Sequence, residues 1–202
     1  MERLSQLKAT LLPSPVSSAT YSTGNITLDK GTIASKTDDD VVICSYARTP
    51  MGRSKRGGLK NTPPEQLLTA ALKAVLERAK ADPKLIEDVA VGNALQPAAG
   101  QVSARMAQFM AGIPETSGCM AVNRQCSSGL QACMHVAESI ISGRHNIGIG
   151  AGVESMSYGN MMDIVNPDTL WESVFDNENA RNCLMPMGIT SEVRHSSTQE
   201  CG

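Results

Sequence analysis

The run AVNRQCSSGLQACMHVAESIISG, from Ala121 to Gly143, sets a cysteine where an apolar stretch gives way to a helical pattern. Cys126 has Asn123, Arg124 and Gln125 before it and Ser127, Ser128 and Gly129 after it. A thiol at a helix start faces the unpaired N–H groups of the first turn and the positive end of the macrodipole, a setting that favours a nucleophilic thiolate. The small residues that follow leave room for a substrate at the helix end, and the backbone amides of Ser127, Ser128 and Gly129 are placed to steady an oxyanion. The same residues admit a plainer reading, in which a cysteine at a strand–helix junction is a small hydrophobe buried for packing.

Other chemistries fit less well. Cys119, Cys126 and Cys133 are seven residues apart, and about 10 Å would separate the last two along a helix, too far to share one ion, so no metal site is expected. GIGAG, Gly148 to Gly152, is not G-x-G-x-x-G and no clear helix follows it, so close backbone packing explains it better than a dinucleotide site.

The elements that must position Cys126 are legible from residue 40. DVVICSYA (40–47) reads as a strand, followed by the Gly-rich basic loop RTPMGRSKRGG. A first helix follows, with Thr62 as N-cap, Pro63 at its first position, Glu65 completing a capping box, and Leu68, Leu72, Val75, Leu76 and Ala79 in helical period up to a stop at Asp82-Pro83. IEDVAVGNAL reads as a second strand, QVSARMAQFMAG as a second helix closed by Gly112 and Pro114, CMAVN as a third strand, and NIGIGAG as a fourth after a helix from Ser127. Strands alternating with helices argue for a layered α/β domain with a mainly parallel sheet. At about 100° per residue, Leu130, Cys133, Met134, Val136, Ala137, Ile140 and Ile141 form one broad apolar arc on the third helix, and Cys126 falls on its covered side. An arc so wide predicts cover by more than one layer.

The ends have a different character. Residues 1–39 are rich in Ser and Thr and read as a flexible leader; after Gly152 no period is sustained, and the methionines there read as gap-filling packing. The final stretch VRHSSTQECG is polar. With 202 residues, 41% apolar content and a formal charge of −2, the chain can bury a core and carries no signal for nucleic acid or an anionic membrane. No run is long enough for a membrane span and no secretory signal opens the chain, so an address inside the cell or an organelle is expected, with the six cysteines as free thiols, most of them packing.

VNRQCSSGLQA resembles the nucleophile motif of the thiolase family, in the form found in peroxisomal 3-ketoacyl-CoA thiolases. ARTPMGRSKRGGLKNTPPEQLL, VAVGNALQPAAGQVSARMAQFMAGIPET, IGIGAGVESMS and CLMPMGITSE are similar to the same family in the expected order, covering about 40–192. The resemblance implies an acyltransferase of fatty acid β-oxidation. In it Cys126 attacks the keto carbon of a 3-ketoacyl-CoA, holds the shortened acyl group as a thioester and passes it to coenzyme A, a co-substrate, with no tightly bound cofactor.

The implied fold is two βαβαβαββ halves stacked in five layers, with a loop region inserted in the first half and assembly as a homodimer. This chain would then be a leader (1–39), an incomplete N-terminal α/β domain with the first four strands (40–152), the start of the loop region (153–192) and a divergent tail (193–202). A fifth strand, the second half and most of the CoA-binding surface would be missing. The family's Gly-His-Pro, Asn-Glu-Ala-Phe and Cys-x-Gly motifs do not occur in these residues. His135, His145 and His195 do not replace the missing histidine: His135 would lie about 13 Å further along the helix, His145 past its end and His195 in the tail. A truncated and inactive chain is therefore expected, as a gene-model fragment, frameshift or splice form would produce. The other readings are a related condensing enzyme, or a non-catalytic fragment binding a full-length thiolase subunit. Arg3-Leu4, five residues, then Thr10-Leu11 resembles the family's N-terminal peroxisomal signal, with Thr10 where a histidine is expected; a mitochondrial or cytoplasmic address is the alternative.

Overall fold

The computed structural model describes residues 40–160 and 167–192. The chain divides into two units, the second running from Val41; the first lies almost wholly outside the described residues, as do the expected signal at Arg3–Leu11, His195 and the stretch expected as a divergent tail.

In the second unit, α1 (Pro64–Ala79), β1 (Asp88–Gly92), α2 (Gln101–Met110), β2 (Gly118–Val122), α3 (Ser128–Ile141) and β3 (Gly148–Gly152) alternate, and a short α4 (Glu178–Asn182) follows. The three strands form one parallel sheet in the order β2-β1-β3, with Asp88 opposite both Gly118 and Gly148 and Gly92 opposite both Val122 and Gly152. β1 is central, and its alternation divides the core. Val89 and Val91 join Leu68, Leu72 and Leu76 of α1 and Ala104 and Ala107 of α2 on one face. Ala90 meets Ala132 and Val136 of α3 on the other. This α/β architecture agrees with the expected one.

Several local expectations are corrected. Residues 40–47 are not a strand: they belong to no ladder, and Val42 and Ile43 stand exposed. A β-branched run has strand propensity but becomes a strand only when another strand pairs with its backbone, and among the described residues no strand does. α1 begins at Pro64, with Pro63 as N-cap and no side-chain cap bond, so Thr62 is not the cap. The helix also stops early, at Ala79, because Lys80 turns left-handed (φ 51) and returns its N–H to Glu77 and Leu76.

The helix wheel of α3 also shifts. Ser128, Ala132 and Val136 are its buried line, whereas Leu130 (67% exposed), Met134 (43%) and Ile141 (73%) face outward and Cys133 is exposed. Glycines explain the choice: a Cβ on Gly150 would lie 2.6 Å from Cys133 Cα, and one on Gly148 would lie 2.8 Å from a Val136 methyl. The helix beds on the edge with least bulk, so hydrophobicity alone does not select its inner face. Met156 and Met187, read as packing, are exposed. The five described cysteines are free, and only Cys119 is even half-buried.

Candidate active site

Cys126 lies between the end of β2 and the start of α3, at the carboxyl edge of a parallel sheet, where open α/β proteins place their ligands. α3 reaches this position because β1 ends in glycine: a Cβ at Gly92 would meet the Ser128 carbonyl carbon at 2.3 Å and the Gly129 nitrogen at 2.4 Å.

The five residues from Arg124 to Ser128 form a tight loop. Ser128, 4% exposed, works from inside it: its hydroxyl accepts from the Arg124 N–H at 2.8 Å and donates to the Gln125 carbonyl at 2.5 Å. The Ser127 hydroxyl donates to the Arg124 carbonyl at 2.8 Å, and Arg124 Nη1 donates to Gln131 Oε1 one turn into α3. Gln125 is left-handed, with φ 52, immediately before the cysteine. Asn123 closes the loop, accepting from the Gln125 N–H at 3.0 Å and donating to the Ala94 carbonyl at 3.1 Å.

Three expectations change here. Cys126 is exposed rather than covered, because the left-handed turn at Gln125 carries the residue off the inner line of α3 on which Ser128 sits. Ser128 is not clearance for a substrate but the buried tie of the loop. The amides of Ser127 and Ser128 already donate to the carbonyls of Arg124 and Gln125, at 3.2 and 3.1 Å, so they are not open to an oxyanion.

The two described histidines are not brought to the thiol. His135 contacts Gln131 and Glu138 on its own helix, and His145 lies beyond α3. No group of three His, Cys, Asp or Glu side chains converges among the described residues, and none of their helices is long and apolar enough to cross a membrane. A small cleft of about 140 Å³ is lined by Arg48, Thr49, Leu67, Leu68, Val153 and Glu154, and Cys126 is not part of it.

Residues not singled out by spacing knit the strand ends together. Asn93, 2% exposed, donates its N–H to Val122 at 3.1 Å and its Nδ2 to Val153 at 2.6 Å, joining β1 to both neighbours. The Glu154 carboxylate accepts from the N–H groups of Ala94 and Leu95 at 2.9 and 3.2 Å. An Asn directly after a strand is a known turn-builder, so Asn93 and Asn123 carried a readable signal. Glu154 carried none, because its partners Leu95, Ala94 and Asn93 lie 59, 60 and 61 residues away.

A family profile described as the thiolase N-terminal domain matches residues 41–198. The rat peroxisomal 3-ketoacyl-CoA thiolase B is 52% identical over 153 residues, which is 76% of this chain and 35% of that protein. The Arabidopsis thaliana peroxisomal 3-ketoacyl-CoA thiolase 1 is 44% identical over 196 residues, 95% of this chain and 42% of that protein. The chain thus spans well under half the length of these relatives. Among solved structures, the dimeric peroxisomal thiolase of Saccharomyces cerevisiae matches with a TM-score of 0.76 at 38% identity, covering 84% of this chain and 45% of that one. A thiolase of Ascaris suum in complex with coenzyme A matches with a TM-score of 0.56 at 34% identity, over 59% of this chain and 31% of that one.

Proposed function

The chain belongs to the thiolase family through its N-terminal domain, and from that premise we propose that it carries the nucleophilic half of a 3-ketoacyl-CoA thiolase, with Cys126 as the acyl acceptor. The observation that supports this reading most is the placement of an exposed thiol at the head of α3, on the carboxyl edge of the sheet, in a loop whose turns are tied by Ser128 and Asn123.

In the proposed reaction the Cys126 thiolate attacks the keto carbon of a 3-ketoacyl-CoA. The bond between that carbon and the neighbouring α-carbon breaks, the α-carbon takes a proton and leaves as acetyl-CoA, and the shortened acyl group stays on sulfur as a thioester. The thiolate of a free CoA then attacks the thioester carbonyl and regenerates the Cys126 thiolate. CoA is a co-substrate here, and the setting is fatty acid β-oxidation in the peroxisome, by analogy with the peroxisomal 3-ketoacyl-CoA thiolases of rat and Arabidopsis thaliana. A homodimer follows by the same analogy with the dimeric yeast enzyme.

The test is acyl transfer to the thiol itself. In a complete version of this chain, which supplies the histidine and second cysteine of the family, incubation with an acyl-CoA followed by peptide mass spectrometry should find an acyl adduct on Cys126 and none at that position in Cys126→Ser, a small replacement that is a far poorer nucleophile and leaves the fold intact. Adducts spread equally over Cys126 and Cys133, which is also exposed, would overturn the assignment. A fluorescent fusion of residues 1–30 that fails to reach peroxisomes would overturn the address alone.

A further inference from the structure

Gln125 adopts φ 52 without glycine's freedom to do so, so its neighbours must hold it there. Its carbonyl is taken by Ser128 from the helix side, and its N–H by Asn123 from the strand side. Asn123 is itself braced, since its Nδ2 donates to the Ala94 carbonyl at 3.1 Å. Ala94 is braced in turn, since its N–H donates to Glu154 at 2.9 Å. One line of hydrogen bonds therefore runs from the end of β3, across the end of β1, to the peptide that precedes Cys126.

We propose that Asn123 is a positioning residue for Cys126, with Glu154 as its anchor acting through Ala94. The inference rests on reading Cys126 as the nucleophile. A role in holding the sheet together does not account for these two residues. Asn93, buried between the strands, already ties β1 to β2 and to β3, whereas Asn123 and Glu154 are exposed; both bonds of the Asn123 side chain end on loop backbone, and Glu154 holds two loop N–H groups at 2.9 and 3.2 Å besides a longer contact, 3.4 Å, from Asn93 Nδ2. What they add is the setting of one left-handed peptide, and with it the place of the thiol just ahead of the first turn of α3.

The experiment is alkylation of the 202-residue chain with iodoacetamide, read residue by residue by peptide mass spectrometry, with Cys133 on the same helix as internal reference. Asn123→Ala should lower the Cys126-to-Cys133 rate ratio by about three- to tenfold, the size expected for losing one or two modest hydrogen bonds. Glu154→Ala should move the ratio the same way by less, and Glu154→Gln, which keeps an acceptor for Ala94, should restore most of it. The double variant should match Asn123→Ala alone, because residues on one line are not additive. An unchanged ratio in Asn123→Ala, or additive effects in the double variant, would overturn the proposal. If Asn123→Ala exposes Cys119 as well, the fold has loosened, and the near-isosteric Asn123→Asp decides: it keeps the Gln125 bond, loses the Ala94 bond and should give an intermediate ratio, an unchanged one counting against the proposal. Absence of an acyl adduct on wild-type Cys126 would strike the proposed function only, since the alkylation ratio is read without acyl transfer.

Discussion

The two faces of the sheet are built differently. On the α1–α2 face, leucines and valines from helix and strand close over one another, and Leu68, Leu72, Val89 and Val91 are essentially inaccessible. On the α3 face the contact is made by Ala90, Ala132 and Val136 against strand glycines, with Ile140 partly buried beside them, while Leu130, Met134 and Ile141 stand exposed. The first face derives its hold from apolar area. The second derives it from close backbone approach, and that approach is what sets the head of α3, and with it Cys126, at the strand ends.

The sharpest way to break this contrast is truncation of a leucine on each face. Leu72→Ala should cost about 2–5 kcal/mol in a denaturant or thermal melt, through lost burial plus an unfilled cavity. Leu130→Ala should stay within about 0.5 kcal/mol, as expected for a side chain already in water. Equal costs would mean that the α3 face is closed in solution.

A smaller effect with a more specific signature is expected at the glycine contact. Gly92→Ala introduces a Cβ against the Ser128 and Gly129 backbone, neither of which can rotate away, and overpacking of this kind costs about 1–3 kcal/mol. Because the displaced element is the start of α3, acylation and alkylation of Cys126 should fall while Cys119 stays protected. A variant with wild-type reactivity at Cys126 would separate the thiol from the glycine contact.

Two titrations refine the picture. Burial pushes the Cys119 thiol above its ordinary range, with Asp88 adding to the effect and Arg105 opposing it. Above the ordinary thiol range the unfolded chain has lost this proton while the folded chain keeps it, so stability should fall as pH rises, and Cys119→Ser should flatten that slope in urea melts. The smallest effect is at Glu87, whose carboxyl is held below its ordinary value chiefly by the backbone N–H of Asn146, then by the Asn146 side chain. Its contribution is present above the ordinary carboxylate range and lost as pH falls toward the lowered folded value, so Glu87→Gln should weaken the acid dependence of stability slightly.

The sequence by itself determined the alternation of strands and helices, because each of β1, α2, β2, α3 and β3 has its period and its punctuation within a dozen or so residues. It also determined the chemistry to look for, since a thiol between a strand and a helix start is a local fact about Cys126. Tertiary structure decided the rest. Residues 40–47 have the composition of a strand but need a neighbour's hydrogen bonds to become one, and no local pattern supplies those. The inner face of α3 depends on glycines in strands that precede and follow it, so only part of the apolar arc, Val136 and Ile140, turns inward while Leu130, Met134 and Ile141 stay exposed. Cys126 is exposed because one left-handed peptide at Gln125 turns it away, and that peptide is held by Ser128, Asn123 and, through Ala94, by Glu154 at the far side of the sheet. A hydrogen bond between residues sixty apart in the chain leaves no periodicity behind, and only folding brings its partners together.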